Sequence, residues 1–222
     1  MRLAAFRAAA FRGLSALWCV SLVCLVLATF PGTLLANPSG LEQFQAFITQ
    51  TPRAQGQFKQ EIRERDGRVI ETSEGQFAFE RPGRFRWEIR EPAVQLLVAD
   101  GELLHFYDQD LAQVTQRRLD QALASTPAAV LFGNAALERD FEVSEAGQSS
   151  GLDWLEAKPR SADAGIERMR IGMHQGLPEI MDVVDSFGRI SRFSFFSVKR
   201  NPVLDPALFR FVVPPGTEIV RQ

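Results

Sequence analysis

Residues 75–89 read GQFAFERPGRFRWEI, and their alternation decides the fold. Phe77 and Phe79 alternate with small or polar neighbours, the period of a strand with one face on a core. Past the Pro82-Gly83 turn, Phe85, Trp87 and Ile89 resume the same alternation. The stretch therefore reads as a β-hairpin with an aromatic inner face. Extending the first stripe by two positions brings Arg81 onto that face. A guanidinium does not shed its charge, so an arginine there needs acceptors or water.

The pattern continues on both sides of the hairpin. Asp66-Gly67, Asp100-Gly101 and Gln175-Gly176 read as further turns between short strands. Strand candidates run over about 57–65, 68–80, 84–91, 95–99, 102–107 and 111–117, then about 140–146, 152–157, 166–173, 178–184, 189–198 and 207–213. Evenly spaced short strands of this kind build an antiparallel barrel or a strongly curved sheet. Ahead of them, Leu41, Phe44, Phe47 and Ile48 lie at helical spacing, and Thr51-Pro52 ends that helix. No repeat or low-complexity linker divides residues 37–222, which suit a single domain.

The first 36 residues have a different composition. Arg2, Arg7 and Arg12 precede an apolar run from about Leu14 to Phe30, and small residues lead to Ala36. This is the pattern of a secretory signal peptide cut after Ala36, with a retained membrane anchor as the rival reading. Both cysteines, Cys19 and Cys24, fall inside it, so the mature chain has no thiol for disulfides, catalysis or zinc. Val23 is too large for a lipoprotein signal before Cys24, which points to a soluble product without a lipid anchor. Losing three arginines lowers the formal charge from −2 to −5, a mildly acidic balance that argues against nucleic acid as a partner.

Fifteen of the eighteen phenylalanines lie in residues 37–222, against the single Tyr107, so most of the aromatic surface has no polar handle. Either a large core or a large apolar cavity follows. Between the two groups of strands, LDQALASTPAAVLFGNAALERDF (119–141) places Thr126 as a helix cap with Pro127 behind it. Ala128, Ala129, Leu131 and Phe132 then form a small apolar stretch, read either as an ordinary core helix or as a plug over an open side of the barrel.

Chemical motifs are sparse. Gly147-Gln148-Ser149-Ser150-Gly151 matches the nucleophile-elbow pattern, but it joins two amphipathic strands and reads as a polar hairpin loop. His105 and His174 lack neighbouring carboxylates at ligand spacing, and no phosphate-binding loop occurs. Neither an enzyme, a metal site nor a cofactor is expected. Arg84, Arg86 and Arg90 alternate outward on the hairpin, as a solvated face or as a basic rim for an acidic partner.

The hairpin string GQFAFERPGRFRWE (75–88) is also where the chain resembles the LolA family. Val98-Ala99-Asp100-Gly101, the run from Tyr107 to Thr115, Thr126-Pro127, Asp185-Ser186-Phe187-Gly188 and the stretch from Phe209 to Gly216 extend the resemblance over the whole mature chain. The resemblance implies an incomplete antiparallel β-barrel of about eleven strands, with a helical lid over an apolar cavity. It implies a monomeric periplasmic carrier that takes acylated outer-membrane lipoproteins from an inner-membrane ABC transporter to an outer-membrane receptor. By motif match the functional arginine, the lid latch, falls on Arg81, and the functional phenylalanine, at the cavity mouth where cargo is exchanged, falls on Phe85. Phe77, Phe79, Trp87, Leu97, Leu131 and Phe132 then line the cavity, and about Leu119 to Leu137 forms the lid.

Physical chemistry fits that role. One acyl chain of about sixteen carbons leaves water with on the order of 12 kcal/mol, at roughly 0.8 kcal/mol per methylene. A carrier must hide such a chain yet release it. Arg81, bonded to backbone carbonyls at the end of a lid helix, would latch the empty lid. Alternatively it sits at the rim with its head in water. A lipid-sensing or lipid-transfer module of the same fold and a lipid esterase remain as other readings.

Overall fold

In a computed structural model, the described residues are 37–119, 131, 140–161 and 165–222. The leader reading for residues 1–36, the Thr126-Pro127 cap and Phe132 fall outside them. Asn37–Gln222 forms one compact unit.

Its helix α1 spans Gly40–Gln50 and starts with a reciprocal cap. Ser39 Oγ accepts from Glu42 N at 3.3 Å, while Glu42 accepts from Ser39 N at 2.9 Å. Twelve strands follow in one sheet: β1 (Arg53–Arg63), β2 (Val69–Glu80), β3 (Arg84–Glu91), β4 (Gln95–Asp100), β5 (Leu103–Asp108), β6 (Gln113–Arg118), β7 (Phe141–Ser149), β8 (Leu152–Pro159), β9 (Ile166–His174), β10 (Leu177–Asp185), β11 (Ile190–Arg200) and β12 (Glu218–Arg221). Their spatial order is β12-β6-β5-β4-β3-β2-β1-β11-β10-β9-β8-β7. Two meanders, β1–β6 and β7–β11, are thus joined where β1 pairs with β11. The outer strands β12 and β7 do not pair with each other, so the barrel stays open.

The short strands form because each alternates and each ends in turn chemistry. Gly83 closes the β2–β3 turn at φ 75°, where a side chain is strained, and an added Cβ would lie 3.2 Å from Leu119. Ser150 and Gly151, both at positive φ, turn β7 into β8, so the G-x-S-x-G motif is a hairpin tip.

The inner face gathers one apolar cluster. Phe44 and Phe47 of α1 meet Phe58, Phe77, Phe79, Phe85, Trp87, Phe193 and Phe195 from the sheet. Phe58 stacks on Trp87 with centroids 3.8 Å apart, and Phe193 and Phe195 meet the indole edge-on. Gly75 permits the Phe58 ring to lie flat there: a Cβ at this position would come 2.1 Å from Glu88 O and 2.6 Å from the ring. Gly75→Ala is therefore expected to cost roughly 3 kcal/mol, because backbone must move as in other overpacked sites. A urea midpoint within error of wild type would refute that close approach.

The described residues form twelve strands, in keeping with the expected eleven or so, and the last pairing, β12 with β6, is parallel. One expectation is corrected. Residues 207–213 do not form a strand: Pro206–Phe209 is a short 3-10 helix, capped by Asp205 Oδ1 accepting from Ala207 N at 2.8 Å. This segment straps the convex face. Leu204 and Phe209 bury Ala78 there, with Leu208 packed alongside, and Phe211 stacks on His105 at 5.1 Å. His105 also sits 3.2 Å from Asp100 and 3.3 Å from Gln116, a satisfied side chain beneath the strap. The alternation of Phe209 and Phe211 reports packing on a sheet, not membership of it.

Candidate functional site

Arg81 closes the inner stripe of β2, next to the turn into β3. Its own N–H donates to Pro52 O at 2.8 Å, which fixes the end of β2 against the start of β1. The side chain turns over the cluster. Nη1 and Nη2 both donate to the carbonyl of Leu131, at 3.0 and 2.8 Å. The guanidinium carbon lies 4.4 Å from the centre of the Phe79 ring and 5.6 Å from that of Phe47. Burial lowers its pKa to about 10, so it stays charged at neutral pH and bears a desolvation cost. Leu131 itself is helical and buried against the same cluster. The arginine thus joins the end of β2 to Leu131, fifty residues along the chain, through an acceptor the sequence could name only as a class.

Phe79 and Phe85 face each other across the β2–β3 pair, and Phe77 faces Trp87. Phe77, Phe79, Phe85, Trp87 and Leu131 all belong to the inner cluster, and the half-buried Leu97 packs against it. Phe85 is only 1 % exposed, deeper than a side chain at a rim.

The opposite wall went unnoticed in the sequence. Met169, Met173 and Met181, from β9 and β10, enter the same cluster beside Leu155 and Ile171. Three of the chain's four methionines thus line one surface. Thioethers are flexible and polarisable, so they fill the irregular gaps of this apolar cluster. The signal was available: Met169, Met173 and Met181 all share the inward parity of Ile171 along the β9–β10 hairpin.

The outward arginines of the hairpin are all ion-paired in place, two of them sharing one carboxylate. Arg84 pairs with Glu80 at 3.6 Å, and Arg86 and Arg90 both reach Glu88, at 3.1 and 3.2 Å. The solvated-face reading is the better one here. Ser149 and His174 border one groove, but among the described residues no hydrogen bond joins them. Among the described residues, no group of three or more His, Cys, Asp or Glu side chains suits a metal, and no helix is long and apolar enough to cross a membrane.

Fold and site together define one open, curved sheet with an inner face of packed rings and thioethers and a charged side chain fastened across it. Comparison with known proteins agrees. Residues 49–212 match the family described as outer membrane lipoprotein carrier protein LolA. The outer-membrane lipoprotein carrier protein of Bordetella avium is 40 % identical over 197 residues, covering 89 % of this chain and 94 % of that protein. That of Cupriavidus necator is 41 % identical over 202 residues, covering 90 % and 96 %. An uncharacterised conserved protein from Thermus thermophilus shares the fold, with a TM-score of 0.54 at 12 % identity, over 82 % of this chain and 99 % of that one. The chain belongs to the LolA family.

Proposed function

We propose that this protein is a periplasmic carrier of outer-membrane lipoproteins. Its inner face takes up the acyl chains of cargo released by an inner-membrane ABC transporter and yields them to an outer-membrane receptor. Names carried by relatives about 40 % identical support the cargo class. The observation that carries the mechanism is the bidentate bond from Arg81 to the Leu131 carbonyl, set over an aromatic and thioether surface.

In this mechanism the Arg81–Leu131 bond is a latch on the empty state. Acyl chains wedging between the sheet and the Leu131 segment separate donor from acceptor. The freed guanidinium then faces an apolar guest, which raises the free energy of the loaded state. Re-forming the bond helps expel the cargo, so release needs no nucleotide bound to the carrier. Phe85, adjacent to the turn and packed against the same surface, transmits the displacement to the hairpin tip during exchange.

The experiment is displacement of a fluorescent apolar probe. The purified protein is expected to bind the probe with a Kd in the micromolar range. A triacylated peptide should displace it, and the same peptide without acyl chains should not. Absence of probe binding would replace the carrier reading with that of a solid core. Displacement by free phospholipid as strong as by the lipopeptide would favour a lipid-transfer module instead.

A further inference from the structure

A lipoprotein is a lipid joined to a polypeptide, and the apolar inner face accounts only for the lipid. Alongside α1, between the helix and two hairpin tips, lies an open groove of about 800 Å³. Ala46, Phe47 and Gln50 of the helix form one side. The tips of the β7–β8 and β9–β10 hairpins, with Gln148, His174 and Gln175, form the other, and Arg200 closes the end.

Three observations connect this groove with the lipid site. The first is position. Phe47 lines the groove and also belongs to the inner cluster, and its ring centre is 5.6 Å from the Arg81 guanidinium. A chain leaving the latch therefore needs to pass only the last turn of α1 to enter the groove.

The second is rigidity. Gln43, buried in the helix, donates to Pro38 O at 2.9 Å and to Asp153 at 2.6 Å, and accepts from Gly176 N at 2.9 Å. One side chain thus pins the helix to both hairpin tips and holds the walls apart.

The third is chemistry. Asn37, Gln50, Gln148 and Gln175 line the groove with amides, which both donate and accept. Of the groove's carboxylates, Asp153 is engaged by Gln43 and Gln148 and Glu42 by Ser39 N, and among the described residues Arg200 has no ion pair. Such walls suit the alternating donors and acceptors of an extended main chain and select little among side chains. A carrier of many different polypeptides needs that tolerance.

We propose that this groove seats the first residues of the cargo's polypeptide, in extended form, while its acyl chains occupy the inner face. The proposal rests on the carrier reading. At about 3.3 Å per residue, six extended residues reach about 20 Å from the acylated end. The interaction is a tether: it holds the polypeptide alongside α1.

The test compares two acylated ligands, a triacylated cysteine alone and the same group followed by six residues. Wild-type protein is expected to bind the longer ligand about tenfold more tightly. Ala46→Trp, which fills the groove from the helix surface, should abolish that difference while leaving the affinity for acylated cysteine unchanged. Arg200→Ala, a milder change, should reduce it about threefold. Circular dichroism confirms that both variants fold.

Equal affinities of wild type for the two ligands overturn the groove proposal and leave the carrier reading standing. Binding of neither ligand overturns both. If a phospholipid headgroup on the same acyl chains matches the peptide's gain, the groove is a headgroup site and the proposal is wrong.

Discussion

Arg81→Leu is expected to load cargo normally and to surrender it slowly. The variant keeps the apolar surface and adds to it, while both donors to the Leu131 carbonyl disappear. Hydrogen bonds from a charged donor are worth about 1.5–3 kcal/mol. Losing the latch should therefore slow transfer to the receptor at least tenfold. Stability should hold or rise, since burial already depresses the arginine's pKa to about 10, a sign that its charge is costly there. Exchanging a buried charge for a hydrophobe of similar volume is often neutral or favourable.

Arg81→Lys should recover only part of the rate. An ammonium keeps the charge but cannot lie flat over the Phe79 ring and reach one carbonyl with two parallel donors. The measurement is transfer of a labelled lipoprotein from purified carrier to purified receptor at equal loading. Equal rates for Arg81→Leu and wild type would remove the latch and leave the arginine a structural bridge.

Trp87→Ala is expected to have the largest effect on folding, about 3–5 kcal/mol. Its indole stacks on Phe58 at 3.8 Å and receives Phe193 and Phe195 edge-on at 5.6 and 6.3 Å. Removing the ring deletes all three contacts at once and leaves a hole in the buried cluster. At roughly 2–4 °C per kcal/mol for a chain of this size, the melting temperature should fall by about 6–20 °C. An apolar ligand should restore part of that loss, because it refills the hole and binds only the folded state. A loss below about 1 kcal/mol would mean that the ring is a loosely held lining and not a packed element.

The hairpin at 75–89 was legible because two local signals coincide there: period-2 alternation of large aromatics, and a Pro-Gly turn that can adopt only a few conformations. Arg81 stood out by breaking the first of these. Its acceptor was not legible. Leu131 lies fifty residues downstream, and a backbone carbonyl carries no mark of its identity in the sequence.

Elsewhere alternation misled. Leu208, Phe209 and Phe211 scan like strand residues, yet Asp205-Pro206 starts a 3-10 turn and the segment lies on the sheet instead of within it. The convex-face burial of Ala78 and His105 follows from that strap, and no property of β2 or β5 taken alone foretells a cover. Strand β12 has four residues, too few for any period to declare itself.

The seam between β1 and β11 also governs how the molecule comes into being. Every other antiparallel pair joins strands that are consecutive in the chain, so each meander can assemble from hairpins as it emerges. At the seam, Arg63 must wait for Ile190 and Ala54 for Arg200. Until then β1 is an unprotected edge, and the apolar faces of both halves lie open to water and to other chains. Docking of two half-sheets along that line is thus expected to be the slow event in the birth of this protein, and the interval before it the one in which the chain is most exposed to aggregation.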